Sequence, residues 1–121
     1  SAWRRRRWQG IFKGLVEAGV ADLSPALTFC FCWLDKTCPS EVTTSLIHGD
    51  FRIGNVIVSS ESRLLSVLDW EMAHIGDPME DLGWLMAGAW RFGRPEQEVG
   101  GVGTKDQLLT AYASAGGHVD A

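Results

Sequence analysis

Three oxygen-bearing side chains carry the chemistry that this sequence could perform: Asp50, Asn55 and Asp69. Asp50 and Asn55 flank a short loop, H-G-D-F-R-I-G-N, with four residues between them. Asp69 follows an apolar run as V-L-D-W-E. Two carboxylates and an amide oxygen make an anionic, all-oxygen site, the donor set that hard ions such as magnesium prefer. Phosphoryl transfer uses such a set. One carboxylate accepts or orients the proton of the attacking hydroxyl, while a second carboxylate and an amide oxygen hold magnesium against the phosphates of a nucleotide.

These residues need elements that bring them together. Asn55–Ser59 and Leu64–Trp70 are rich in β-formers and separated by the polar turn 60–63, which predicts a hairpin. A two-stranded ribbon of this size brings its open ends together, so Asn55 and Asp69 should be neighbours. A short apolar run, Leu46-Ile47, leads into His48-Gly49-Asp50. After the hairpin, Gly76-Asp77-Pro78 breaks the chain. Asp77 then caps a helix that Pro78 opens, expected from Met79 to about Trp90 with Leu82, Leu85, Met86 and Ala89 on one face. Trp84 and Trp90 fall among those apolar residues and read as helix-face core.

Upstream, apolar residues recur at helical steps over Trp3–Val20, with Gly19 as the stop. Ser24-Pro25 opens a second helix over Ala26–Leu34, and Lys36–Ser40 reads as a loop. Downstream, Arg91–Gly103 reads as a flexible, glycine-rich loop. Thr104 caps a last helix running to about Ser114 and closed by Gly116-Gly117. The run Arg4–Arg7 points around a helical turn and reads as a solvated helix end.

Composition narrows the function classes. Hydrophobic residues make up 45% and charged residues 21%, which suits a globular chain and not a disordered one. The net charge of −4 argues against a nucleic-acid-holding role. No apolar run reaches the ~20 residues that span a bilayer. Cys30, Cys32 and Cys38 are odd in number and tightly spaced, a poor disulfide framework. C-F-C also lacks the usual zinc spacing, so free, partly buried thiols on a helix in a reducing cytoplasm are expected.

The segments H-G-D-F-R-I-G-N-V-I-V, V-L-D-W-E-M-A and G-D-P-M-E-D-L-G-W-L, in that order, resemble the catalytic core of the aminoglycoside phosphotransferase family. That family includes choline-, homoserine- and macrolide-kinase relatives, and the wording is most like the kinase-like domains associated with acyl-CoA dehydrogenases. The gap between Asp50 and Asn55 also equals that of the protein-kinase catalytic loop, with D-W-E standing where those enzymes carry D-F-G. The resemblance is strong over His48–Leu85 and looser in the flanking helices. It implies an α+β fold, the C-terminal lobe of a protein-kinase-like enzyme, with helices packed around a catalytic loop and a β-hairpin. It implies ATP as co-substrate, Mg2+ as cofactor and a small-molecule hydroxyl as acceptor. A hydroxyacyl thioester, an antibiotic and an amino alcohol all fit the acceptor role. By the same resemblance Asp50 is the catalytic base, and Asn55 and Asp69 are the magnesium ligands. His48 supports the loop, Asp81 braces it from the following helix, and Asp77 has a structural capping role. Arg52 either meets phosphate or braces Asp50, and Glu71 is either a third ligand or solvated. His74 is expected at the surface or in a loop.

A kinase of this type also needs a glycine loop, a strand lysine and a glutamate from a nucleotide-binding N-lobe. Lys13, Lys36 and Lys105 lie in no β-rich setting, and the first forty residues read as helices. The expectation is therefore that residues 1–121 form a partial catalytic lobe of a longer phosphotransferase, with little activity alone. Two other readings compete. A non-catalytic remnant would serve as a binding or interaction module. A metal-dependent phosphoesterase would use His48, Asp50, Asp69 and His74, but two-metal sites normally call on more histidines than the three present.

Overall fold

Two helices precede a run of short strands and shorter helices in the computed structural model, which describes residues 2–19, 24–37 and 43–119. The chain divides into two compact units, residues 1–42 and 43–121.

The first unit is a pair of helices, α1 (Ala2–Glu17) and α2 (Pro25–Thr37). Gly19 takes a left-handed conformation at φ 67°, and its N–H bonds back to the Val16 carbonyl, so α1 stops short of Val20. The Ser24 hydroxyl accepts from the Leu27 N–H at 3.4 Å, an N-cap that lets α2 start at Pro25. The helix runs past Leu34 to Thr37, beyond its expected end. The Phe12 and Phe31 rings pack at 5.9 Å between centroids. Cys30 and Cys32 are free thiols on α2, and both are exposed rather than partly buried, because two helices alone cover little of each other. Cys38 and the side chains of the arginine run 4–7 lie outside the described residues.

The second unit is α+β. Strand β1 (Ser45–Ile47) pairs antiparallel with β4 (His74–Gly76), matching Ile47 with His74 and Ser45 with Gly76. The hairpin joins β2 (Val56–Val58) to β3 (Leu64–Val67), with Val56 opposite Val67 and a bulge near Ile57 and Val58. Its turn is fastened by the Ser59 hydroxyl, which accepts from the N–H groups of Glu61 and Arg63 at 3.2 Å each. The strand at 74–76 was not expected. Its three residues hold no alternating run long enough to betray a strand, and pairing with β1 is what makes it one.

Helix α3 spans Met79–Leu85. Asp77 caps it, its Oδ1 accepting from the Met79 N–H at 2.9 Å. The helix ends well before Trp90 because tertiary donors take its last carbonyls. The Gly100 N–H bonds to Leu85 O at 3.1 Å, and the Arg91 guanidinium donates to Met86 O at 3.3 Å. Residues 88–91 form a separate 3-10 turn. The glycine-rich stretch that supplies Gly100 is consequently not a slack connector: Val99, Gly100 and Gly101 are buried. Helix α4 (Lys105–Ser114) starts with a reciprocal cap between Thr104 and Gln107. It closes with Gly116 at φ 89° and the Gly117 N–H bonded to Tyr112 O at 2.9 Å.

The buried apolar residues among those described are Ile47, Leu82, Leu85 and Val99. The buried polar ones are His48 and Asn55, at 3% and 5% exposure. The interior of this unit is thus built around the loop of interest. No helix is long and apolar enough to cross a membrane among the described residues.

Candidate active site

The loop from His48 to Asn55 is held from three directions. From α3, the Asp81 carboxylate accepts two backbone N–H groups, that of His48 at 2.7 Å and that of Gly49 at 2.9 Å. From the open end of the hairpin, Leu68 O lies 2.7 Å from His48 Nε2. His48 Nδ1 accepts from the Asp50 N–H at 3.2 Å, so the proton must sit on Nε2 and point to Leu68 O. Both imidazole nitrogens are therefore used within the protein. The ring itself lies 4.7 Å from that of Trp70 and edge-on to Phe51 at 6.0 Å.

Gly49 is the third contact. Its φ is 87°, and a β-carbon there would sit 2.5 Å from the Met72 carbonyl oxygen. The H-G-D turn thus lies directly on the backbone of the D-W-E-M turn, which only glycine permits.

Within this frame the Asp50 carboxylate collects three donors. Arg52 Nε approaches Oδ2 at 3.2 Å, and Asn55 Nδ2 approaches the same oxygen at 2.9 Å. Trp84 Nε1 donates to Oδ1 at 2.7 Å across the gap from α3. Burial pushes the Asp50 pKa up. The hydrogen bonds from Trp84, Arg52 and Asn55 and the charge of Arg52 outweigh that and leave it below its ordinary value. Arg52 reaches Asp50 through Nε, and its guanidinium also lies 5.2 Å over the Trp90 ring.

Asn55 spends both amide hydrogens on Asp50, one on the carboxylate and one on the backbone carbonyl at 2.9 Å. Neither acceptor can donate, so the nitrogen must face Asp50 and the amide oxygen must face away. The Leu68 N–H bonds to Asn55 O at 2.8 Å, which brings Asp69 next to Asn55 at the open end of the hairpin. Asp69 is left-handed at φ 64°, ψ 60°, does not cap the turn after it, and is exposed. Among the described residues no group of three or more His, Cys, Asp or Glu is placed to hold a metal.

Two positions differ from their sequence reading. Trp84 is not core: it is 37% exposed, hydrogen-bonded to Asp50, and edge-on to Trp90 at 5.4 Å. Its signal was its spacing from Asp81, since three residues along a helix return to the same face. His74 is neither a surface nor a loop residue. It lies half-buried on β4, with Nδ1 2.9 Å from Met72 O and Nε2 3.2 Å from the Glu80 carboxylate.

A carboxylate beside an amide oxygen and an exposed carboxylate, on a loop held by an aspartate, resembles the layout expected of a phosphotransferase core. Comparison with known proteins agrees: the model of the phosphotransferase enzyme family matches residues 1–118, and the chain belongs to that family. It is 41% identical over 61 residues to acyl-CoA dehydrogenase family member 10 of Mus musculus, covering 50% of this chain and 6% of that protein. It is 43% identical over 60 residues to acyl-CoA dehydrogenase family member 11 of Homo sapiens, covering 48% and 8%. It is 32% identical over 83 residues to the probable acyl-CoA dehydrogenase IBR3 of Arabidopsis thaliana, covering 64% and 10%. The chain therefore spans a tenth or less of the length of these relatives. No solved structure matches it.

Proposed function

We propose that this chain supplies the catalytic loop of a kinase that moves the γ-phosphoryl group of ATP to a hydroxyl on a small molecule. The observation that carries this reading is the Asp50 carboxylate, ionised and fixed by three donors beside Asn55. A carboxylate with a depressed pKa is a weak proton acceptor in the resting state. It orients the hydroxyl and takes its proton late, as the new P–O bond forms and the bond to ADP breaks.

Asn55 through its amide oxygen and Asp69 through its exposed carboxylate are the residues that would hold magnesium. The donor set fits: it is all oxygen and small, and magnesium commonly takes one or two protein oxygens and completes its shell with phosphates and water. The ion, when bound, supplies neutralisation of phosphate charge. His48 and Asp81 act at one remove, by keeping Asp50 in place.

The phosphoesterase alternative would need His48 as a ligand, and both of its ring nitrogens are already engaged. The names of the relatives favour an acceptor hydroxyl on an acyl thioester over an antibiotic or amino alcohol. The test is transfer of labelled phosphate from ATP to a panel of hydroxy compounds with magnesium, comparing a longer chain that joins this segment to a nucleotide-binding N-lobe with its Asp50→Asn variant. Transfer that needs Asp50 supports the kinase reading. Transfer that survives in Asp50→Asn removes Asp50 as base, and failure across the panel leaves the binding-module reading.

A further inference from the structure

The lone pairs of Asp50 can be counted. An ionised carboxylate offers about two acceptor directions on each oxygen. Oδ2 takes Arg52 Nε at 3.2 Å and Asn55 Nδ2 at 2.9 Å, which fills it. Oδ1 takes Trp84 Nε1 at 2.7 Å, which leaves one direction open on that oxygen. A hydroxyl that presents its proton to Asp50 has to use that direction, and so it arrives beside the indole.

We infer that the acceptor hydroxyl docks at Oδ1 of Asp50 against the edge of Trp84, which makes Trp84 a positioning residue for phosphoryl transfer. The inference rests on Asp50 being the base. Two features suit Trp84 to the task. The residue is 37% exposed although its N–H is committed, which leaves room for a ligand beside it. Its other side meets Trp90 edge-on at 5.4 Å, and Trp90 in turn carries the Arg52 guanidinium. The donors to the two oxygens are thereby tied into one cluster, and rotation of the carboxylate would disturb all of them. The indole N–H keeps Oδ1 from turning away and leaves its second lone pair aimed at the acceptor.

The test reads the indole directly. The protein carries six tryptophans, and the indole signal of Trp84 in a nitrogen–proton correlation spectrum is identified by its loss in Trp84→Phe. The expected result is that this signal moves in Asp50→Asn, while the indole signals outside the Trp84–Trp90 cluster hold. Glycerol, used as the hydroxyl probe, should move the same signal, and dioxane, which has no hydroxyl, should not. With the segment joined to a nucleotide-binding N-lobe, Trp84→Phe should lower phosphoryl transfer to glycerol about tenfold with the KM for ATP unchanged, since one neutral-donor hydrogen bond to a charged group is lost. A Trp84 signal indifferent to Asp50→Asn, or equally sensitive to glycerol and dioxane, overturns the inference. Transfer that persists in Asp50→Asn would instead overturn the underlying assignment of the base, and the indole response to glycerol reads independently of it.

Discussion

Asp81 is where loop geometry and stability meet, and its replacement should be costly in a calculable way. Its two carboxylate oxygens accept from consecutive backbone N–H groups, those of His48 and Gly49, at 2.7 and 2.9 Å. Hydrogen bonds to a charged group contribute about 1.5–3 kcal/mol each, and a part-buried N–H left without an acceptor adds its own desolvation cost. Asp81→Ala should therefore lose about 3–6 kcal/mol. Asp81→Asn keeps one acceptor oxygen but turns an amide N–H towards the other backbone N–H, and should lose about 2–3 kcal/mol. In a unit the size of residues 43–121, each kcal/mol moves the melting temperature by about 4–8 °C. The Asn variant should thus melt about 10–20 °C lower, as followed by circular dichroism. A displacement of Asp50 by an ångström should also cut phosphoryl transfer about a hundredfold. An Asp81→Asn protein that melts within about 4 °C of the parent would refute the idea that these two bonds carry the loop.

Three further outcomes follow from the same geometry. Gly49→Ala should destabilise by more than about 2 kcal/mol in urea titration, because left-handed backbone alone costs about 1–2 kcal/mol for a residue with a β-carbon and the Met72 carbonyl blocks the space. Asp69→Asn should leave stability within about 0.5 kcal/mol, since the side chain is exposed and asparagine tolerates the left-handed conformation, yet weaken magnesium–ATP binding at least about tenfold by calorimetry. The native Asp50 pKa lies under its ordinary value of 3.8, so the native state binds fewer protons than the unfolded one. The stability it contributes is complete above the ordinary value and is lost as pH falls through the native one. Acid unfolding curves of Asp50→Asn should lack that loss, and the parent's transfer activity should stay level on the acid side until the same range.

Much of this site could be seen in the sequence because its residues are local. Asp50 and Asn55 share one loop, Asp69 follows one strand, and a hairpin's ends must meet, so residue type and spacing were enough to expect their convergence. Asp77 and Thr104 were visible as caps for a similar reason, since a cap acts within three residues of itself. What stayed hidden depends on distant partners. Strand β4 is three residues long and owes its form to β1. The early end of α3 depends on donors from Arg91 and Gly100. Trp84 looked apolar in its neighbourhood, and its indole N–H found a role only when Asp50 arrived from 34 residues away.

The left-handed backbone at Asp69 also limits how this position can change. Among side chains with a β-carbon, mainly asparagine and aspartate take that conformation readily, while glycine takes it at no cost. The proposed role as an oxygen ligand for a hard cation would exclude glycine, and the conformation weighs against glutamate, the other acidic choice. Backbone and chemistry therefore overlap on two residues, aspartate and asparagine. Once the chemical demand is lifted, glycine becomes the easiest replacement, so the amino acid at this one position in other copies of the fold would report whether the demand for an oxygen ligand still operates.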